Sequence, residues 1–98
     1  MNLLMIRAKI KEENVADTQA ATEKVIQALE QAHPDVHYAV TRLSDGTTVL
    51  AFLEMEPGQE HPLLPYPEYA EMLENLKGWY AEPPTVENMT VIGSYQLF

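Results

Sequence analysis

An imidazole held by a carboxylate is the simplest general base a protein can build near neutral pH. The chain places His37 opposite Glu54, provided one turn forms. Ser44-Asp45-Gly46-Thr47 separates two runs of β-branched and aromatic residues, Val36 to Leu43 and Thr48 to Glu56. Asp-Gly between such runs predicts a hairpin with a type I′ turn and positive φ at both central residues. Counting outward sets Ser44 against Thr47, Arg42 against Val49, His37 against Glu54 and Val36 against Met55. The plain alternative for His37 and Glu54 is a cross-strand charge pair at the open end of the hairpin, which contributes little.

Other residues carry further options. His61 lies in a proline-rich loop and is either a surface histidine or a second candidate base. Arg7 shares a strand face with Lys9 and would suit an anionic ligand or a quinone oxygen, or else a salt bridge to a partner chain. Tyr66, Tyr69, Trp79 and Tyr80 flank one helix, and aromatics with polar tips line small-molecule pockets well. Tyr69 also fits a helix core position, and Trp79 and Tyr80 fit a plug at the sheet end or a dimer seam. Phe52 is a further substrate contact on the open sheet face. Ser94 and Gln96 would add hydrogen bonds from the last strand, or face water. The three histidines are too scattered to propose a metal site, and the four glycines form no phosphate loop.

These residues need a scaffold. Leu3 to Lys11 alternate, with Leu4, Ile6, Ala8 and Ile10 on one face and Leu3, Met5, Arg7 and Lys9 on the other. Asn14 suits an N-cap, and Val15 to Ala32 is rich in helix formers, with Ala21, Val25, Ala28, Leu29 and Ala32 as its buried stripe. Pro34 ends that helix. The hairpin has one nearly apolar face, Val36, Tyr38, Val40, Val49, Ala51, Leu53 and Met55, which must take the helices. Its other face, His37, Ala39, Thr41, Leu43, Thr48, Leu50, Phe52 and Glu54, is mixed. The loop Pro57 to Pro67 is long enough to be functional or partner-facing. Pro67 then suits a first helical position, Tyr69, Met72, Leu73 and Leu76 form a stripe, and Gly78 suits C′. Thr85 to Phe98 reads as the last strand.

Composition narrows the function classes. The 98 residues make one domain, and 46% are hydrophobic, too many for a disordered chain. With no cysteine, disulfides, thiolate metal sites and cysteine nucleophiles are excluded. The net charge of −9 argues against nucleic acid and against an anionic membrane surface. No run approaches the roughly 20 apolar residues that span a bilayer. The first residues carry no basic leader or cleavage signal, so a cytoplasmic protein is expected.

The order strand, helix, strand, strand, helix, strand is that of the ferredoxin-like α+β sandwich. With the acidic balance and the half-polar open face, the chain resembles the dimeric α+β barrel superfamily, and in particular its antibiotic-biosynthesis-monooxygenase-like branch. That resemblance implies an antiparallel sheet with two helices on one face, and a homodimer formed through the open sheet face. It also implies a pocket between sheet and helices for a small hydrophobic or aromatic ligand. The implied activity is cofactor-independent oxygenation of an aromatic or polyketide-like substrate, with no metal or flavin. His37 or His61 would be the base, with Glu54 beside His37, and Arg7, Tyr69 or Trp79 the donors. A non-catalytic metabolite-binding or purely dimerising module is the other outcome the superfamily allows. Haem-degrading members use an Asn, a Trp and a His, but Asn2, Trp79 and His61 stand in the wrong places to carry that set over. The open face, with Leu3, Met5, Leu43, Leu50, Phe52 and Ile92, is too apolar to leave in water.

Overall fold

A computed structural model describes residues 1–97. The elements are β1 (Asn2–Lys9), a 3-10 turn (Glu12–Asn14), α1 (Val15–Ala32), β2 (Tyr38–Arg42), β3 (Thr48–Glu54), α2 (Pro67–Trp79) and β4 (Thr85–Thr90). The four strands form one sheet in the order β2-β3-β1-β4, antiparallel at each junction. This is the ferredoxin-like α+β arrangement, with both helices packed over one face of the sheet.

α1 has the bounds its composition predicts. It stops because Pro34 follows, and His33 takes the left-handed conformation (φ 50°) while its N–H donates to the Leu29 carbonyl. Asn14 stands at the N-cap, yet its side chain donates to Asp17 rather than capping the helix. The buried stripe is shifted from expectation. Val25 is fully buried and Ala21 and Leu29 pack on the core, while Ala32 is exposed and Thr18 is buried in its stead.

The hairpin register is as counted, with Arg42 opposite Val49 and Tyr38 opposite Leu53. The turn itself differs. Only Gly46 has positive φ (80°), so no type I′ turn forms. Gly46 N–H donates to the Leu43 carbonyl, closing a four-residue turn, and Leu43 N–H donates to the Thr48 carbonyl. The reason lies in Asp45. Its carboxylate accepts from the Thr48 hydroxyl and from the backbone N–H groups of Thr48 and Thr47, which also hold its pKa down to about 2. That side-chain turn competes with the two-residue geometry. The register survives because Leu43 and Thr48 still pair.

Three other expectations are corrected. Gly78 lies inside α2, which continues to Trp79, since Tyr80 N–H still finds the Leu76 carbonyl. β4 ends at Thr90 rather than running on through the chain's last residues; Phe98 lies outside the described residues. Ser94 and Gln96 are therefore not on a strand, and Ile92 does not join the open face. Register sets Met89 opposite Leu3 and Glu87 opposite Met5, so the open-face positions of β4 are Thr85, Glu87 and Met89. Leu73, assigned to the α2 stripe, is partly exposed, while Tyr69, Met72 and Leu76 are buried.

The core lies between sheet and helices, where Ala8, Ile10, Val25, Leu53, Leu63, Tyr69, Met72 and Leu76 form one buried cluster. Leu63 comes from the long loop and is fully buried. The loop is therefore anchored inward, and it delivers His61 to the edge of the core.

Candidate functional site

Two chambers open between the sheet and the helices, and they share the walls Thr18, Thr22, Val40 and Val49. The larger, about 300 Å³, lies between α1 and the β2–β3 hairpin. Ile10 and Val15 add to its apolar lining, and Gln19, Glu23, Thr41, Arg42 and Thr47 give its polar rim. Its volume is at the lower end of small-molecule sites, roughly 300–1,000 Å³. The smaller, about 60 Å³, runs under α2 and is lined by apolar residues with Tyr38, His61, Tyr69 and Tyr80. A water occupies roughly 30 Å³ of liquid, so this inner chamber has room for about two waters.

The polar groups at the inner end are tightly arranged. The His61 ring stacks on Tyr69, with centroids 5.1 Å apart, and its Nε2 is 3.3 Å from the Tyr69 hydroxyl. Leu63 N–H donates to His61 Nδ1 over 3.2 Å. A backbone N–H cannot turn round, so Nδ1 must accept and neutral His61 carries its proton on Nε2. Nε2–H then donates to the Tyr69 oxygen. The Tyr69 proton is left free for another acceptor. Tyr38 meets the Tyr69 ring edge-on at 6.5 Å.

Burial sets the protonation states. Desolvation lowers the His61 pKa from 6.5, against a smaller opposing effect of a backbone hydrogen bond. Protonation would also set Nδ1–H against Leu63 N–H, donor against donor. Desolvation raises the pKa of Tyr38, Tyr69 and Tyr80, and the neighbouring phenols add to it for Tyr38 and Tyr69. Near neutral pH the site thus holds a neutral imidazole and intact phenols.

A pH dependence follows. The folded chain resists a proton on His61 that the unfolded chain accepts, so this stabilising contribution is present above the ordinary pKa of 6.5. It is lost as the pH falls through the lower folded value. Histidine NMR should put the His61 midpoint below 6.5, with His61→Gln flattening the fall in stability on the acid side. A midpoint at or above 6.5 would contradict this arrangement.

The candidates divide between two faces of the sheet. His61, Tyr69 and Tyr80 converge on the inner chamber. Tyr66 and Trp79 pack against the core but do not line it, and Trp79 borders a shallow groove on the outer helix surface beside Asp17 and Lys24. His37, Glu54 and Phe52 line a broad groove of about 490 Å³ on the open face, reached also by Leu97. There His37 Nε2 is 3.8 Å from Glu54 Oε2 and 3.7 Å from Asp35 Oδ1. Those distances exceed a hydrogen bond and describe an ion pair that forms when His37 is protonated. Arg7 is exposed on the same face, between Leu50 and Thr85, with no ion pair among the described residues. Ser94 is exposed beyond β4 and meets neither group.

Sequence reasoning passed over Tyr38, Thr18, Thr22 and Arg42 as site residues. Tyr38 offered a signal, being a polar-tipped ring on the hairpin's helix-facing side. Thr18 and Thr22 were hidden by helix bookkeeping: each hydroxyl donates to the carbonyl four residues back, which lets a threonine occupy a buried helix face.

Solved structures share this architecture. An antibiotic biosynthesis monooxygenase structure aligns with a TM-score of 0.71 at 14% identity, covering 95% of this chain and all of the other. The fold is that of the antibiotic biosynthesis monooxygenase-like proteins. A provisionally named antibiotic biosynthesis monooxygenase of Nitrosomonas europaea aligns with a TM-score of 0.77 at 14% identity, covering 95% of this chain and 100% of that one. A variant of SnoaB, a cofactor-independent oxygenase from Streptomyces nogalater, aligns at 0.69 with 11% identity, over 97% of this chain and 96% of that one. No protein-family model matches the chain, and no curated protein does either. No helix among the described residues is long and apolar enough to cross a membrane.

Proposed function

We propose that this chain is a homodimeric small-molecule-binding protein whose helix-side cleft takes an aromatic or polyketide-like molecule and oxygenates it without metal or flavin. The observation that carries this reading is the His61–Tyr69 pair at the inner end of a cleft whose walls are mostly apolar. In a cofactor-free oxygenation the substrate's own carbanion gives electrons to dioxygen, so the protein must favour the enolate that precedes it. Tyr69, its oxygen occupied by His61 Nε2–H, has its proton free to donate to an enolate oxygen. His61 in this arrangement is the group that orients Tyr69. The proton lost from the substrate carbon goes to His61 Nδ1 once that atom gives up Leu63 N–H, and the resulting carbanion passes its electrons to dioxygen.

The dimer belongs to the same proposal. The open face presents Met5, Leu50 and Phe52 in one patch, with Leu43 at its margin. Beyond β4, Ile92 is 99% exposed, Tyr95 86% and Leu97 78%. A segment that reads as a strand yet leaves such residues in water is suited to a second copy of the chain.

Oxygen uptake tests the chemistry. With quinol-like aromatic substrates the wild type should consume oxygen in the absence of added metal or flavin. Tyr69→Phe, which keeps the ring and removes the donor, should lower kcat about a hundredfold, the scale of losing one oxyanion donor. Tight ligand binding with no uptake would instead establish the non-catalytic binding module. The small inner chamber favours that second reading, since about 60 Å³ admits no aromatic ring unless partly exposed Leu73 or half-buried Tyr80 moves.

A further inference from the structure

The mouth of the larger chamber carries a cation without an acidic partner. Arg42 is the last residue of β2, and its Nη1 donates to the Gln19 amide oxygen on α1 over 3.4 Å. Gln19 in turn donates through Nε2 to Glu23 over 3.3 Å. Gln19 thus stands between the two charged groups of the rim, and the Glu23 carboxylate is not within ion-pair distance of Arg42 among the described residues. A guanidinium has five N–H donors, and a single long contact to a neutral amide leaves most of them for a ligand. The same chamber has apolar walls at Val15, Val40 and Val49. In a chain with six basic and fifteen acidic residues, an arginine so placed has a ready use.

We infer that the cleft selects a carboxylate-bearing apolar molecule, its body inside the larger chamber and its carboxylate on Arg42. The inference rests on the proposed reading of the cleft as a ligand site. Release of the Gln19 contact costs little, because it is long and its acceptor is uncharged. The replacement is a charge-assisted, two-point contact of the kind guanidinium makes best with carboxylate. Arg42 is a specificity residue in this account and takes no part in the chemistry at Tyr69.

The test uses 2-naphthoate and its neutral counterpart 2-naphthylmethanol, titrated by calorimetry and by amide shifts into the wild type, Arg42→Gln and Arg42→Lys. The wild type should bind the acid more tightly than the alcohol, with shifts at Thr18, Thr22 and Val40. Arg42→Gln should weaken the acid about tenfold and leave the alcohol unchanged, as expected for one charged hydrogen-bonding partner. Arg42→Lys should recover part of the loss. Arg42 is exposed, so neither variant threatens the fold. Equal binding of acid and alcohol, or an unchanged acid affinity in Arg42→Gln, overturns the carboxylate preference while leaving the cleft as a ligand site. Binding of neither compound, or shifts confined to the open face, overturns both readings.

Discussion

Leu63→Ala should cost the fold about 3 kcal/mol, the middle of the range for emptying a fully buried leucine site. Leu63 has no exposed surface, and it is the core residue contributed by the loop between β3 and α2. The buried cluster it belongs to draws on both strands and helices, so the hole is not expected to close by moving one side chain. For a domain of this size each kcal/mol shifts Tm by roughly 4–8 °C, so the midpoint should fall by more than ~10 °C. The effect should also reach the site. Leu63 N–H holds His61 Nδ1, so loosening this residue frees the imidazole that orients Tyr69. Thermal melts and the His61 titration together check this. A variant as stable as wild type would mean that the loop anchor is wrongly placed.

Phe52→Asp should abolish the proposed dimer. Phe52 sits at the middle of β3, paired with Met5 on one side and Ala39 on the other, on the face away from the helices. In a two-fold dimer the substitution sets a carboxylate from each copy into one apolar interface. Burying charge without a partner costs several kcal/mol per ion, so roughly 4 kcal/mol is a low figure, about a thousandfold in Kd. Light scattering should give twice the single-chain mass for wild type and the single-chain mass for Phe52→Asp. Phe52→Leu should remain a dimer, and far-ultraviolet circular dichroism should show that all three keep their secondary structure. A monodisperse wild-type monomer would contradict the open-face interface outright.

What the sequence made legible was local and periodic. The bounds of α1 followed from composition and Pro34, and the hairpin register from counting outward from Asp45-Gly46. Both are set by contacts between residues close in the chain. The turn type was less accessible, because the Asp45 carboxylate chose among geometries that share one register. Gly78 looked like a helix stop because glycine favours left-handed backbone, but it also tolerates helical φ when the next turn is held, as Leu76 to Tyr80 is here. The length of β4 could not be read from alternation alone, since a strand needs a neighbour, and β1 begins only at Asn2. The site was hardest. Its polar residues come from α1, β2, the long loop and α2, and only the packing of both helices on one sheet face brings Thr22, Tyr38, His61 and Tyr69 around the same space. Leu63 was missed for the same reason: its burial is decided by residues distant in sequence.

The cleft between sheet and helices, as opposed to the broad groove on the open face, is the point on which the account turns. Titration of 2-naphthylmethanol into isotopically labelled wild type, followed by amide and methyl shifts, tests it most directly. Saturable shifts are expected at Thr18, Thr22, Val40 and Val49, with Ala39, Leu50 and Phe52 unmoved. Shifts confined to Ala39, Leu50 and Phe52 would contradict it and move the ligand site to the open face.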